Sequence, residues 1–187
     1  MLKEFLKAEN SGGEISSVVK FVRSGAPSAA FGVSFAEKCH IARALDTPFL
    51  YIVKDGFYGA KVKEELAAMI GEEVVYLPPK DDVLLYKTAF DKTRYYERLE
   101  AIYKIQSGAK YIVATTESLL QLFPKELPSI TVERGQTLDP YELASFLVKC
   151  GYKRREFAED KASFALRGDI FEIYPVGSQS VYRIDFF

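Results

Sequence analysis

The chain has 187 residues, 48% of them hydrophobic and 27% charged, with 25 Lys and Arg against 26 Asp and Glu and a formal net charge of -1. That length suits one ordinary domain or two small ones, and the composition excludes an intrinsically disordered chain. The near-neutral balance excludes the broad basic footprint of a protein that wraps nucleic acid, while leaving room for a local patch.

In chain order, Glu14–Arg23 places Ile15, Val18, Val19 and Val22 at helical spacing, which predicts an amphipathic helix ended by Gly25 and Pro27. Ser28–Ser34 is short and apolar, with Ala29, Ala30, Phe31 and Val33, and predicts a buried strand. Ala36–Leu45 predicts a helix, Phe49–Val53 a strand, and Gly59–Ile70 a helix closed by Gly71. Val74–Leu77 predicts a strand stopped by Pro78-Pro79, and Lys80–Ala89 reads as a short helix or a loop. Asp91–Gln106 is the strongest helical pattern, with Tyr95, Leu99, Ile102 and Tyr103 on one side and Gly108 past its end. Tyr111–Ala114 predicts a strand and Thr116–Leu122 a short helix. Strands alternating with helices in this way predict a parallel α/β sheet.

After Phe123-Pro124 the pattern changes. Ile130–Glu133 predicts a short strand, and Thr137–Cys150 a helix with Asp139 as N-cap, Pro140 at its first turn and Gly151 beyond its end. Tyr152–Phe157 and a polar loop follow. Within Phe164–Phe187, two strand-like runs, Ile170–Tyr174 and Val181–Phe187, flank a Gly-Ser turn and predict a hairpin. Arg167-Gly168-Asp169 stands at the mouth of the first run. A boundary near residues 124–128 divides the chain into an α/β part, 1–126, and a small α+β part, 127–187.

Two cysteines, Cys39 and Cys150, stand far apart, and His40 is the single histidine. Zinc needs about four convergent ligands, and the sequence offers no such set, so no metal site is expected. The thiols fit a reduced, cytoplasmic protein. The Met-Leu-Lys-Glu start carries no apolar run, which predicts no signal peptide. No stretch approaches the length of a membrane span, and no membrane partner is expected.

Gly32-Val33-Ser34-Phe35-Ala36-Glu37-Lys38-Cys39 lies between a predicted strand and a predicted helix, the context of a phosphate loop, Gly-x-x-x-x-Gly-Lys-Ser/Thr. Gly32 and Lys38 keep the spacing, but Glu37 replaces the second glycine and Cys39 the hydroxyl. That glycine lets backbone N–H groups curl toward phosphates; a glutamate there adds a repelling charge. A thiol is a poor ligand for magnesium. The segment reads as a decayed nucleotide site or as a strand–turn–helix that matches by coincidence, and no cofactor is expected on it.

Asp91–Phe123, with Arg-Tyr-Tyr-Glu-Arg-Leu-Glu-Ala-Ile-Tyr-Lys-Ile and Tyr-Ile-Val-Ala-Thr-Thr-Glu-Ser-Leu-Leu-Gln-Leu-Phe, resembles the amino-terminal, UvrB-like module of the bacterial transcription-repair coupling factors, the Mfd family. Gly151-Tyr152, Arg167-Gly168-Asp169-Ile170-Phe171-Glu172-Ile173-Tyr174-Pro175 and Tyr182-Arg183-Ile184-Asp185-Phe186-Phe187 carry the same resemblance, which runs from about residue 15 to the end. The departures at Glu37 and Cys39 resemble the inactive loop of that family more than the intact loop of UvrB. Leu77–Asp91 is also short for the tyrosine-rich DNA-clamping hairpin of UvrB.

The resemblance implies a partial P-loop-NTPase-like parallel sheet with a small α+β domain appended. It implies a non-catalytic fragment that recruits the repair protein UvrA to stalled RNA polymerase, with Arg167 and Gly168 as the central contact and Lys153 or Arg154 as a second basic position. UvrB carries a further arginine where this chain has Ala165. It also implies a parent that is an ATP-dependent DNA translocase, with ATP and magnesium, RNA polymerase and double-stranded DNA all handled by segments beyond Phe187, so the chain is expected to be incomplete. The alternative is a UvrB-like nucleotide-binding ATPase domain acting on damaged DNA.

Charge pattern alone reads Lys149, Lys153, Arg154, Arg155, Lys161 and Arg167, set among Glu156, Glu159 and Asp160, as a solvated mixed face. The resemblance at Arg167 turns it into a docking surface, because arginine forks suit bidentate carboxylate pairing. Asp169 and Glu172 as a catalytic pair, His40 as a catalytic base, and Arg-Gly-Asp as an adhesion tripeptide are all disfavoured, so no catalytic residue is expected. Tyr95, Tyr96 and Tyr103 could stack on bases, but helical spacing assigns Tyr95 and Tyr103 to packing against the sheet.

Overall fold

A computed structural model describes residues 13–80 and 92–187. They form two compact units, one of residues 13–80 and 104–122, the other of residues 92–103 and 123–187. The expected helix or loop over Lys80–Ala89 and the length argument over Leu77–Asp91 fall largely outside the described residues.

The first unit runs α1 (Glu14–Arg23), α2 (Phe35–Ala44), β1 (Phe49–Val53), α3 (Gly56–Ile70), β2 (Val74–Leu77), the end of α4 (Lys92–Gln106), β3 (Tyr111–Thr115) and α5 (Thr116–Leu120). Its three strands are parallel in the order β1-β3-β2, with Leu50 opposite Ile112 and Val75 opposite the same residue from the other side. Burial alternates along β1: Val53 points into the core, while Leu50 and Ile52 are exposed. Cys39 and Ala42 of α2, Val62, Leu66 and Met69 of α3, and Val53, Val74, Tyr111 and Val113 of the sheet make one core. Each fully buried aliphatic side chain there contributes about 1.5–3 kcal/mol.

Asp55 caps α3 by accepting from the Tyr58 N–H at 2.8 Å, so this helix starts three residues earlier than its apolar pattern indicates. Gly71 closes it in the left-handed conformation, φ 72°. Gly59 lets α3 approach β2 closely, since a Cβ there would lie 2.5 Å from the Tyr76 ring.

Two expected strands do not form. Ser28–Ser34 has no regular structure, and Phe31 is 92% exposed. Among the described residues β1 pairs with β3 alone; Ser28–Ser34 joins no ladder, and β-propensity without ladder bonds and a covering layer does not make a strand. Ile130–Glu133 likewise forms no strand, and Ile130 and Val132 stay exposed.

The second unit holds the first twelve residues of α4, then α6 (Pro140–Lys149), β4 (Lys153–Arg154), β5 (Ser163–Arg167), β6 (Ile170–Tyr174) and β7 (Tyr182–Asp185). The sheet order is β4-β5-β6-β7, parallel between β4 and β5 and antiparallel after that. Asp139 accepts from the Tyr141 N–H at 2.7 Å, with Pro140 following it. At the other end Tyr152 N donates to Leu147 O and Gly151 N to Val148 O, both at 2.9 Å, with Gly151 at φ 88°. This double bond pattern is a Schellman motif, and it aims Tyr152 back into the core. Leu143 and Leu147, one turn apart on α6, pack with Phe164 and Phe171, whose rings stack 5.5 Å apart.

Helix α4 is helical as expected but buries a different stripe. Arg98, Ala101 and Ile102 are inside, while Tyr95 and Tyr103 are 43% and 55% exposed. The packing role expected for those two tyrosines is therefore overturned. A tyrosine hydroxyl keeps its hydration on an open face. No helix among the described residues is long and apolar enough to cross a membrane.

Candidate docking surface

Ser163–Arg167 is the strand missing from the sequence reading, and it changes what Arg167-Gly168-Asp169 is. Arg167 pairs with Ile170 across a turn made of Gly168 and Asp169. Gly168 stands at φ 58°, while Asp169 is not among the residues with positive φ. This is the pattern of a type II′ hairpin turn, which places glycine at its first central position. The triplet is thus the tip of a hairpin rather than the mouth of its first strand. Glycine-aspartate between alternating apolar residues was a readable hairpin signal.

Paired residues of neighbouring strands share a face, and faces alternate along a strand. Phe164, Leu166, Phe171, Ile173 and Ile184 therefore lie on the face under α6, where they form the core. Arg167, Glu172, Arg183 and Asp185 lie on the opposite face. There Arg167 Nη2 meets Glu172 Oε1 at 2.8 Å, its Nη1 donates to the Glu156 carbonyl at 3.1 Å, and its guanidinium sits 4.3 Å from the centre of the Phe157 ring. Arg183 pairs with Asp185 at 3.0 Å.

The guanidinium of Arg167 is held on three sides, by the Glu172 carboxylate, the Glu156 carbonyl and the Phe157 ring. A guanidinium has five N–H donors; the Glu156 carbonyl accepts from one of them, and the Glu172 carboxylate is an ion-pair partner. Phe157, half exposed, adds an apolar platform beside it. Phe157 and Glu172 as supports of Arg167 were not visible in the sequence, because only the hairpin and the preceding loop bring them together.

Lys153 pairs in register with Ser163 and so shares the face of Arg167, whereas Arg154 pairs with Phe164 and belongs to the other face. Arg154 Nη2 reaches the Leu166 carbonyl at 3.4 Å. Ala165 is 1% exposed. Although it lies on the face of Arg167, it contributes nothing to the open surface. Asp169 occupies the turn, and its carbonyl accepts from the Phe186 N–H at 2.8 Å, while the Glu172 carboxylate is engaged by Arg167.

The residues of the candidate phosphate loop also have definite places. Gly32 takes a left-handed φ of 69° and lies exposed. Ser34 is the N-cap of α2, and Glu37 completes a capping box. Ser34 Oγ accepts from Glu37 N at 3.3 Å, and Ser34 N donates to Glu37 Oε2 at 2.7 Å. Hydrogen bonding from the Ser34 side chain, and then from its backbone N–H, holds the Glu37 carboxyl below its ordinary range. The Ser-x-x-Glu spacing was legible as this motif. Lys38 is exposed beside the open edge of β1. Cys39 is fully buried, and burial, reinforced by Glu65, pushes its thiol up to about 11. Lys38 and Cys39 therefore do not converge on one site. Among the described residues, no group of three or more His, Cys, Asp or Glu could hold a metal ion.

The chain thus holds a small mixed sheet in one unit and a three-stranded parallel sheet in the other. Residues 130–187 match the family described as the UvrB interaction domain. The chain is 26% identical over 153 residues to the transcription-repair-coupling factor of Bacillus subtilis (strain 168), covering 79% of this chain and 13% of that protein. It is 27% identical over 194 residues to the transcription-repair-coupling factor of Myxococcus xanthus, covering 94% and 16%. It is also 23% identical over 167 residues to the UvrABC system protein B of Treponema denticola, covering 79% and 25%. The chain is thus similar to transcription-repair-coupling factors and to UvrB, and DNA repair is the process that these names share. It spans between an eighth and a quarter of the length of these relatives.

Proposed function

We propose that this chain is a non-catalytic docking module of a transcription-repair coupling factor, which recruits the nucleotide-excision-repair protein UvrA to stalled RNA polymerase. Arg167, held by Glu172, Glu156 and Phe157 on the face of the small sheet opposite α6, carries the reading. An oriented arginine beside a half-exposed aromatic has the composition of an interface hot spot, and its fork selects a carboxylate or carbonyl of the partner. Gly168 sets the turn that presents it, and Lys153 adds a second cation on the same face.

In this reading the small domain is 127–187, although the first twelve residues of α4 and residues 123–126 belong to the same compact unit, and residues 1–126 are a UvrB-like α/β scaffold derived from a P-loop nucleotide-binding fold. Binding of ATP by that scaffold is disfavoured by Glu37, whose carboxylate takes the place at the α2 terminus where a phosphate would lie. ATP-driven translocation on DNA and contacts with RNA polymerase are assigned to other segments of a cytoplasmic parent protein. Calorimetry of the chain against UvrA, with Arg167→Ala as the comparison, tests the assignment; wild-type affinity in that variant sinks it.

A further inference from the structure

The second unit contains a cleft of about 640 Å3, lined among others by Lys92, Tyr96, Lys153, Arg155 and Lys161. That volume is in the range of small-molecule sites. Lys92 is the first residue of α4, where the helix dipole already presents its positive end. Lys153, in β4, and Arg155, just past it, are fixed by backbone bonds to the segment alongside: Lys153 N donates to Ala162 O at 2.9 Å and Arg155 N to Phe164 O at 2.8 Å. Three cations thus converge from a helix end and a strand.

No carboxylate answers them. Glu97, Glu100 and Asp160 also line the cleft, but Glu100 is engaged by Lys161 at 3.9 Å, and none of the three cations has an ion pair among the described residues. Their mutual repulsion is felt at Lys153, whose ammonium is held below the ordinary lysine range first by hydrogen-bond contact with Lys92, then by the charges of Lys92 and Arg155. Folding has brought like charges together, an arrangement that a bound anion would relieve. A single carboxylate would neutralise one of the three charges. A phosphate group carries up to two negative charges and has oxygens enough to reach all three residues.

We propose that the cleft bounded by Lys92, Lys153 and Arg155 is a binding site for a phosphate group. This goes beyond docking through Arg167, which does not line the cleft.

The test uses the whole chain with inorganic pyrophosphate as probe, followed by thermal shift and by NMR of the lysine ammonium groups at matched ionic strength. A saturable rise in Tm is expected, with the Lys153 signal moving toward that of an ordinary charged lysine. Lys92→Ala and Arg155→Ala each weaken binding about tenfold, the loss of one charge-assisted hydrogen bond. Arg167→Ala leaves it unchanged. Lys92 and Arg155 are exposed, and circular dichroism checks that both variants fold. A duplex oligonucleotide that competes with pyrophosphate identifies the ligand as a nucleic-acid backbone, and one that does not identifies a small phosphorylated molecule; both outcomes support a phosphate site. An equal response to chloride or succinate, or unchanged binding by Lys92→Ala and Arg155→Ala, overturns it.

Discussion

Arg167→Ala separates what this residue does for the fold from what it does for a partner. In the free chain the substitution removes an ion pair to Glu172 at 2.8 Å, a bond to the Glu156 carbonyl at 3.1 Å and a stack on Phe157 at 4.3 Å. The ion pair is open to solvent on the arginine side and is worth about 0–1 kcal/mol. The stack contributes roughly 0.5–1 kcal/mol and the carbonyl bond about 0.5–1.5 kcal/mol. The fold therefore loses about 1–3.5 kcal/mol, a fraction of the stability of an ordinary domain. At a docked interface the same guanidinium is desolvated, and losing it costs about 2–5 kcal/mol, which is roughly 30-fold to several-thousand-fold in Kd. Urea unfolding followed by circular dichroism reads the first quantity, and calorimetry against UvrA reads the second. Arg167→Lys keeps the charge but loses the fork, and is expected to bind between the two. Unchanged affinity in Arg167→Ala would refute the docking argument, and a variant that no longer folds would show that the residue is part of the scaffold.

The capping box at Ser34 makes the start of α2 acid-sensitive. Glu37 is held below its ordinary value of 4.5, so its contribution is present above that value and is lost as pH falls through the lower folded-state pKa. The amide signals of Ser34 and Glu37 should move together on acidification, and Ser34→Ala should cost about 1 kcal/mol; the two signals moving independently would contradict the motif. Gly59→Ala places a methyl against the Tyr76 ring. Overpacking of about 1–3 kcal/mol is set against a helix gain of about 1 kcal/mol, so a net loss is expected in urea, rescued by Tyr76→Leu, and a stabilised variant would show that the contact is soft. Thiol labelling followed by mass spectrometry should modify the partly exposed Cys150 and spare Cys39, which is buried with its thiol pushed up to about 11; rapid labelling of both in the folded chain would be the contrary result.

The sequence by itself determined the elements whose signals are local. The spacing of Val18, Val19 and Val22, the β-branched run Phe49–Val53 and the pair Val74-Val75 produced α1, β1 and β2 with their observed bounds. Asp139-Pro140 and Gly151 bracketed α6 through cap chemistry that reaches only a few residues. Tertiary structure decided what depends on a distant neighbour. Ser28–Ser34 had strand composition but found no ladder, whereas Ser163–Arg167, with the polar Ser163 and Arg167 at its ends, became a strand between β4 and β6. The surface around Arg167 was legible as residue types, but not as geometry. The hairpin turn, the Phe157 platform and the Glu172 bond exist only once β5 and β6 pair and the loop before them folds over. Likewise Lys92 and Lys153, far apart in the chain, share a cleft because a helix end and a strand meet there. Backbone propensity and capping act over a single turn, while burial, pairing and charge convergence are properties of the assembled fold.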